Sequence, residues 1–362
     1  MQRRGHLLVI ICFYTFVKMP QNNCLRFYQV ALPFLLALAI GSCRKPGHDP
    51  DPEPPPITSI PDDEIVRIPV VVHVLYSNAA FNISDQKIQT QLTVLNEDFR
   101  KKNADVSKTP AEFTDRVADV GIEFVLATKD PRGNPTDGII RVSTQVDGWS
   151  GNNPSGTIPV EDLDLFHTAK GGSDAWPSDR YLNIYVAGMS DRQGKLGLAG
   201  YSSYPGADAR IDAVVIDPRA FGTQPPLSQG HELGRTATHE TGHWFNLLHI
   251  FGNTDNCSST DYVDDTPSTG TRYMGHPTYP QNSCGHSNMF MNFMDYVDDD
   301  AMYLFTRGQR ERMRKTFFTG GGRHQLYKHC TGKSKKKMIP TWAITTAAVE
   351  TISCICNAAG LE

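Results

Sequence analysis

Two histidines four residues apart, with an acid beside the first, constrain this 362-residue chain more than any other feature. In Thr238-His239-Glu240-Thr241-Gly242-His243 that spacing puts both imidazoles on one face of a helix, one turn apart, where they can reach a single ion. The segment is therefore expected to fold as a helix. Glu240 follows His239 directly and lies close to such an ion without being forced to ligate it. With 12 His in 362 residues, H-E-x-x-H is expected by chance roughly 0.01 times, so ordinary core histidines are a poor account of it. His231-Glu232 only imitates the start of the pattern, because position 235 is Arg.

Hydrolytic zinc sites usually take three protein ligands and keep a fourth position for water. His249, six residues after His243, can be the third only if the helix stops in between, since a continuous helix would rotate it away. Asn246 sits where that turn belongs, and Asn tolerates the left-handed conformation that ends helices. The other way to complete such a site is a Glu from a later helix. The next one downstream is Glu311, in no suitable context.

The rest of the chain reads as one exported domain. With 39% hydrophobic and 20% charged residues the composition is globular. Val30–Ile40 is an apolar run behind Arg26, too short to span a bilayer at ~20 residues and of signal-peptide length. Residues 1–42 are read as a signal peptide, with Met19 a candidate true start. Ile40-Gly41-Ser42-Cys43 resembles a lipobox, which makes Cys43 the candidate lipidated N-terminus. Residues 43–64 then form a Pro- and Asp-rich tether, 65–330 the folding domain, and 331–362 a tail of unknown role.

The leader holds Arg3, Arg4, Lys18 and Arg26 and no acid, which leaves 31 basic and 39 acidic side chains from Cys43 onward, a balance of −8. So acidic a surface excludes nucleic acid as a partner and leaves the lipid anchor as the expected link to a membrane. The leader, the candidate lipidation site Cys43 and the tail take five of the 8 cysteines. In an exported protein Cys257 and Cys284 are expected to pair, with Cys330 left over.

Ile65–Tyr76 is Val- and Ile-rich and reads as a buried first strand. Ser84 should cap a helix running to Asn103, with Ile88, Leu92, Leu95 and Phe99 on one face. Further strands are expected at Gly121–Ala127, Tyr181–Ala187, Leu198–Tyr204 and Ala213–Ile216, and helices at about Gly234–Leu247 and from Thr306, which forms a capping-box pair with Gln309. The fold class is α/β (α+β): a mixed sheet flanked by helices.

The segment from His239 to His249 resembles the metzincin signature H-E-x-x-H-x-x-G-x-x-H, with Asn246 in place of its Gly, and Asn292-Phe293-Met294-Asp295-Tyr296 resembles the Met-turn. HWFNLLHIFG, DYVDDTP and NFMDY are similar to the pappalysin family, above all its bacterial cytophagalysin-like and ulilysin-like members. That resemblance implies a zincin fold, a twisted mixed sheet with an active-site helix and a smaller C-terminal subdomain. It implies zinc on His239, His243 and His249, with Glu240 as general base. Met294 would pack beneath the ligands, and Tyr296 would stabilise the tetrahedral intermediate. It further implies calcium in the acidic loop, with Asp255, Asp261, Asp264 and Thr266 as candidates, and a disulfide near Cys257 tying that loop down. Leu198-Ala199-Gly200-Tyr201 resembles the edge strand that pairs with an extended substrate, and Gly200 is its candidate contact.

The expected function is a zinc endopeptidase acting on proteins or peptides, monomeric and carried as a lipoprotein on the outer membrane or cell surface. The acidic run Asp298-Asp299-Asp300 follows the Met-turn, and the resemblance to ulilysin-like members implies that Asp299, five residues after Met294, is the acid that selects Arg, or Lys more weakly, after the cut. The competing reading is a surface binding or adhesion lipoprotein with a structural or dead metal site. Three His with a retained Glu240 form the open, hydrolytic arrangement rather than the closed, thiolate-rich structural one.

Overall fold

The computed structural model describes residues 55–146, 148–149, 159–189 and 197–332. The leader with Val30–Ile40 and Cys43, the first part of the tether, and the tail from residue 333 lie outside the described residues. No helix among the described residues is long and apolar enough to cross a membrane.

The unbroken apolar run becomes β1 (Val66–Tyr76), buried on both faces as such runs require. Val66, Ile68, Val70, Val72 and Val74 face the main core, while Val71, His73 and Leu75 face the opposite layer. Its first half pairs with β2 (Ile122–Leu126) and its second half with β3 (Ile139–Ser143), both parallel. On its other side lies β4 (Leu182–Ala187), then β6 (Ala213–Ile216), also parallel. The last strand, β5 (Gly200–Ser202), runs antiparallel to β6 and leaves its outer edge open. This is the expected twisted mixed sheet. β3 went unforeseen: its side chains are half-buried or exposed and carry no apolar run.

Helix α1 (Asp85–Phe99) is capped by the Ser84 hydroxyl, which accepts from the Lys87 amide at 3.1 Å. Ile88, Leu92, Leu95 and Phe99 enter the main core. The helix stops at Phe99 rather than Asn103, and the chain leaves it through Lys101 at φ 50°. Helix α2 (Arg235–Trp244) packs on α1, β5 and β6, and all of its residues are buried. It is shorter than expected, ending before Leu247.

After α2 come short strands β7 (Met274–Gly275), β8 (Asn282–Ser283), β9 (His286–Ser287) and β10 (Tyr296–Val297). Helices α3 (Arg307–Lys315) and α4 (His324–Cys330) close the domain. The expected Thr306–Gln309 capping box opens α3. Met289, Phe293, Met294, Phe305, Met313 and Leu326 from this smaller C-terminal part join the same core as β1. Cys257 and Cys284 form the expected disulfide, and Cys330 is free.

Candidate active site

Helix α2 is anchored at its start by side chains remote in sequence and stopped at its end by a left-handed turn. Gly234, at φ 73°, offers no side-chain cap, and the Asp299 carboxylate takes that place, accepting from the Leu233 amide at 2.9 Å and the Arg235 amide at 3.1 Å. Arg235 donates to both Asp105 oxygens at 2.5 and 2.8 Å and to the carbonyls of Asp299 and Met302. At the far end Asn246 takes φ 75°, and the Leu247 amide returns to the Gly242 carbonyl at 2.9 Å. This left-handed residue turns the chain so that His249 comes back to the helix.

The outcome is a triangle of imidazole nitrogens. Nε2 of His239 lies 3.1 Å from that of His243 and 3.2 Å from that of His249, and the last two are 3.0 Å apart. His239 Nδ1 is 2.7 Å from the Phe293 carbonyl and His243 Nδ1 2.8 Å from the Leu247 carbonyl. A carbonyl can only accept, so both rings carry their proton on Nδ1 and present a bare lone pair at Nε2. Lone pairs facing one another at such distances repel unless a cation sits among them. Zinc at ~2.0–2.1 Å from each nitrogen in tetrahedral array would set them about 3.3 Å apart, so the donor set fits it.

Burial, before the proximity of His243, holds His239 down at about 3, and burial holds His243 at about 4. His249 is also held far below its ordinary value, first by burial and then by the other two rings. All three are neutral at pH 7, the form that ligates metal. Among the described residues this is the one gathering of three or more His, Cys, Asp or Glu donors that could hold an ion.

Glu240 lies on the cleft side of α2, where burial pushes its carboxyl up to about 8 against a 3.2 Å hydrogen bond from the Ser202 hydroxyl. Gly200 makes that position possible: a Cβ there would meet Glu240 Cγ at 3.0 Å and Thr236 Cγ2 at 3.1 Å. Met294 is fully buried under α2, and a Cβ on Gly242 would meet its sulfur at 2.5 Å. The Tyr296 ring lies 4.7 Å from the His249 ring and 5.7 Å from that of His239 and stays 38% exposed.

The model of the peptidase family described as Pregnancy-associated plasma protein-A matches residues 168–317. An extracellular metalloprotease of Pyricularia oryzae is 31% identical over 70% of this chain and 75% of its own, and one of Arthroderma benhamiae is 27% identical over 70% and 78%. Mature mirolysin of Tannerella forsythia, solved in complex with a cleaved peptide, superposes with a TM-score of 0.68 at 40% identity, covering 75% of this chain and 99% of that one. The chain belongs to the pappalysin family. It has the metzincin fold and is a zinc-dependent metalloendopeptidase acting on peptide or protein substrates. The naming of its relatives as extracellular supports export.

Two sets of residues singled out in this pappalysin-family chain make contacts that the sequence did not show. Asp299 is 2% exposed, and its Oδ2 caps α2 by accepting from the Leu233 and Arg235 amides. Among the described residues the calcium candidates form no cluster of three or more His, Cys, Asp or Glu donor atoms. Asp255 pairs with Arg272 at 2.9 Å, while Asp261 accepts from the Thr266 hydroxyl at 2.8 Å and the Val263 amide at 3.1 Å. Asp264 lines a surface cavity against α3.

Sequence reasoning also missed several neighbours of the site. Ser202 and Tyr204 alternate on and just after β5, and the Tyr204 hydroxyl comes within 3.3 Å of His243 Nδ1. Phe251 stacks on His249 at 4.8 Å, and the Arg272 guanidinium lies over both Phe251 and Tyr296. The i, i+2 spacing of Ser202 and Tyr204 beside the candidate Gly200 was the only sequence signal for any of these.

Proposed function

We propose that His239, His243 and His249 hold the zinc, that Glu240 is the general base, and that the enzyme cuts before basic residues. The convergence of three lone-pair nitrogens, with a buried carboxyl next to the first, carries this reading. Bound zinc supplies the Lewis acidity that polarises a peptide carbonyl and acidifies water. Glu240 takes the proton from the attacking water and returns it to the leaving amine, and Ser202 holds the carboxylate in place meanwhile. The Tyr296 hydroxyl donates to the oxygen that gains charge. The open edge of β5 pairs with the extended substrate, Gly200 keeping the strand close to Glu240. Met294 supports α2 from below.

The specificity reading passes from Asp299 to its neighbours. A cavity of about 350 Å³ opens ahead of α2, lined by Glu232, Asp298 and Asp300 among others. Asp298 is two residues beyond Tyr296 along the same strand direction, hence ~7 Å further on. Three acids around one cavity favour a guanidinium, with Lys weaker for lack of a bidentate fork. Residues 1–42 as signal peptide, Cys43 as lipid attachment, 43–64 as tether and 65–330 as catalytic domain belong to the same proposal.

Cleavage-site profiling on a peptide library tests it. The native enzyme should cut before Arg and then Lys, zinc chelation should abolish cutting, and Asp300→Asn should erode the basic preference. A native preference for large apolar residues at that position would contradict the acidic pocket.

A further inference from the structure

The acid that follows Met294 ties the strand of Tyr296 to the loop that the disulfide closes. Asp295 is fully buried, and its Oδ1 accepts from the Tyr296 amide at 2.8 Å and from the Tyr273 amide at 3.0 Å. β7 then pairs in parallel with β10, Met274 opposite Tyr296. Arg272, one residue before Tyr273, is thereby delivered to the ring of Tyr296, and its guanidinium carbon lies 5.8 Å from the ring centre.

Asp255 fixes that guanidinium. Nε of Arg272 donates to Asp255 Oδ2 at 3.0 Å, and Nη2 lies 2.9 Å from the same oxygen. The guanidinium carbon is also 5.3 Å from the centre of the Phe251 ring. Phe251 in turn stacks on His249 at 4.8 Å and meets Tyr296 edge-on at 5.1 Å. The Tyr296 ring thus rests on His249 and Phe251, while Arg272 touches both it and Phe251. Both cation–ring separations fall within the ~6 Å over which an aromatic face attracts a cation.

The phenol has a use for this support. Its ring is half-exposed, and the torsion that swings a Tyr ring has a broad well, so packing against two rings alone leaves it freedom. A hydroxyl that must meet developing charge acts best when its orientation is set beforehand. Resting on the reading of Tyr296 as donor to the oxygen that gains charge, we propose that Arg272, fixed by Asp255, is a positioning residue for the Tyr296 phenol. Arginine suits the task because its planar group can stack on a ring while its fork keeps hold of a carboxylate.

The test is a double-mutant cycle on kcat for one fluorogenic peptide, with native enzyme, Arg272→Gln, Tyr296→Phe and the double variant. Arg272→Gln should lower kcat roughly fivefold with KM within about twofold, the size of an exposed cation–ring contact. Its zinc content and thermal unfolding midpoint should stay native. In the Tyr296→Phe background, where no hydroxyl is left to place, the same substitution should have no further effect. Arg272→Lys, which keeps a cation near the ring and gives up the planar fork, should retain more activity than Arg272→Gln. Equal loss from Arg272→Gln with and without the Tyr296 hydroxyl overturns the proposal and leaves Tyr296 as the donor. So does native kcat in Arg272→Gln beside a clear loss in Tyr296→Phe. A fall in zinc content that accounts for the lost activity also overturns it, since the effect then runs through Phe251 to His249. Native kcat in Tyr296→Phe overturns the donor reading and the proposal together.

Discussion

Each residue at the site owes its place to a contact that can be removed singly. His249 reaches the other two imidazoles through the left-handed turn at Asn246. Replacing His249 by Ala should therefore lower zinc affinity by orders of magnitude; full metal occupancy in that variant, measured by metal analysis after dialysis, would speak against a three-His site. Ser202→Ala removes the hydroxyl that orients Glu240 and is expected to lower kcat about tenfold, with zinc content and KM little changed. Gly242→Ala drives a methyl into the Met294 sulfur, so a loss of about 1–3 kcal/mol should appear in denaturant unfolding. The three clustered histidines and Glu240 were legible in the sequence because their spacing, along α2 and just past its closing turn, is a local signal. Ser202, Tyr204 and Arg272 were not, since they reach the site across the sheet edge or from the disulfide loop, and no local spacing records such contacts.

At the scale of elements, the sequence disclosed what local chemistry determines. Ser84 and the Thr306–Gln309 pair mark helix starts, and the β-branched run at Ala213–Ile216 matches β6 residue for residue. The ends of α1 and α2 were overrun because apolar periodicity continues past the point where Lys101 and Asn246 reverse the chain. Strand β3 and the seven-residue α4 have no periodic signal of their own and form through packing on β1 and the shared core. The anchoring of α2 by Asp299 separates two kinds of acid in one short run. Asp299→Ala, which leaves the Leu233 and Arg235 amides without their acceptor, should cost about 1–3 kcal/mol of stability. It should leave the order of cleavage preferences intact, whereas Asp300→Ala should do the reverse. Thermal unfolding and peptide profiling of the two variants distinguish these outcomes.

For the whole molecule, one core supports both halves of the cleft: β1, β4 and β6 carry α2 above them, and Met294, Phe293 and Leu304 seal it from the C-terminal side. The disulfide closes the loop that carries Arg272 and β7, and removing it through Cys257→Ser with Cys284→Ser should cost about 3 kcal/mol. Export is expected to hang on the leader, and Cys43→Ser should move the enzyme from the membrane fraction to the soluble one. The central claim is that three imidazoles hold the metal while Glu240 moves the proton. Its most direct measurement pairs zinc analysis with peptide hydrolysis in Glu240→Gln. Stoichiometric zinc with turnover reduced by about a thousandfold or more is the predicted result, because the amide keeps the shape of the side chain and loses its basicity. Turnover near that of the native enzyme at equal zinc content would contradict it.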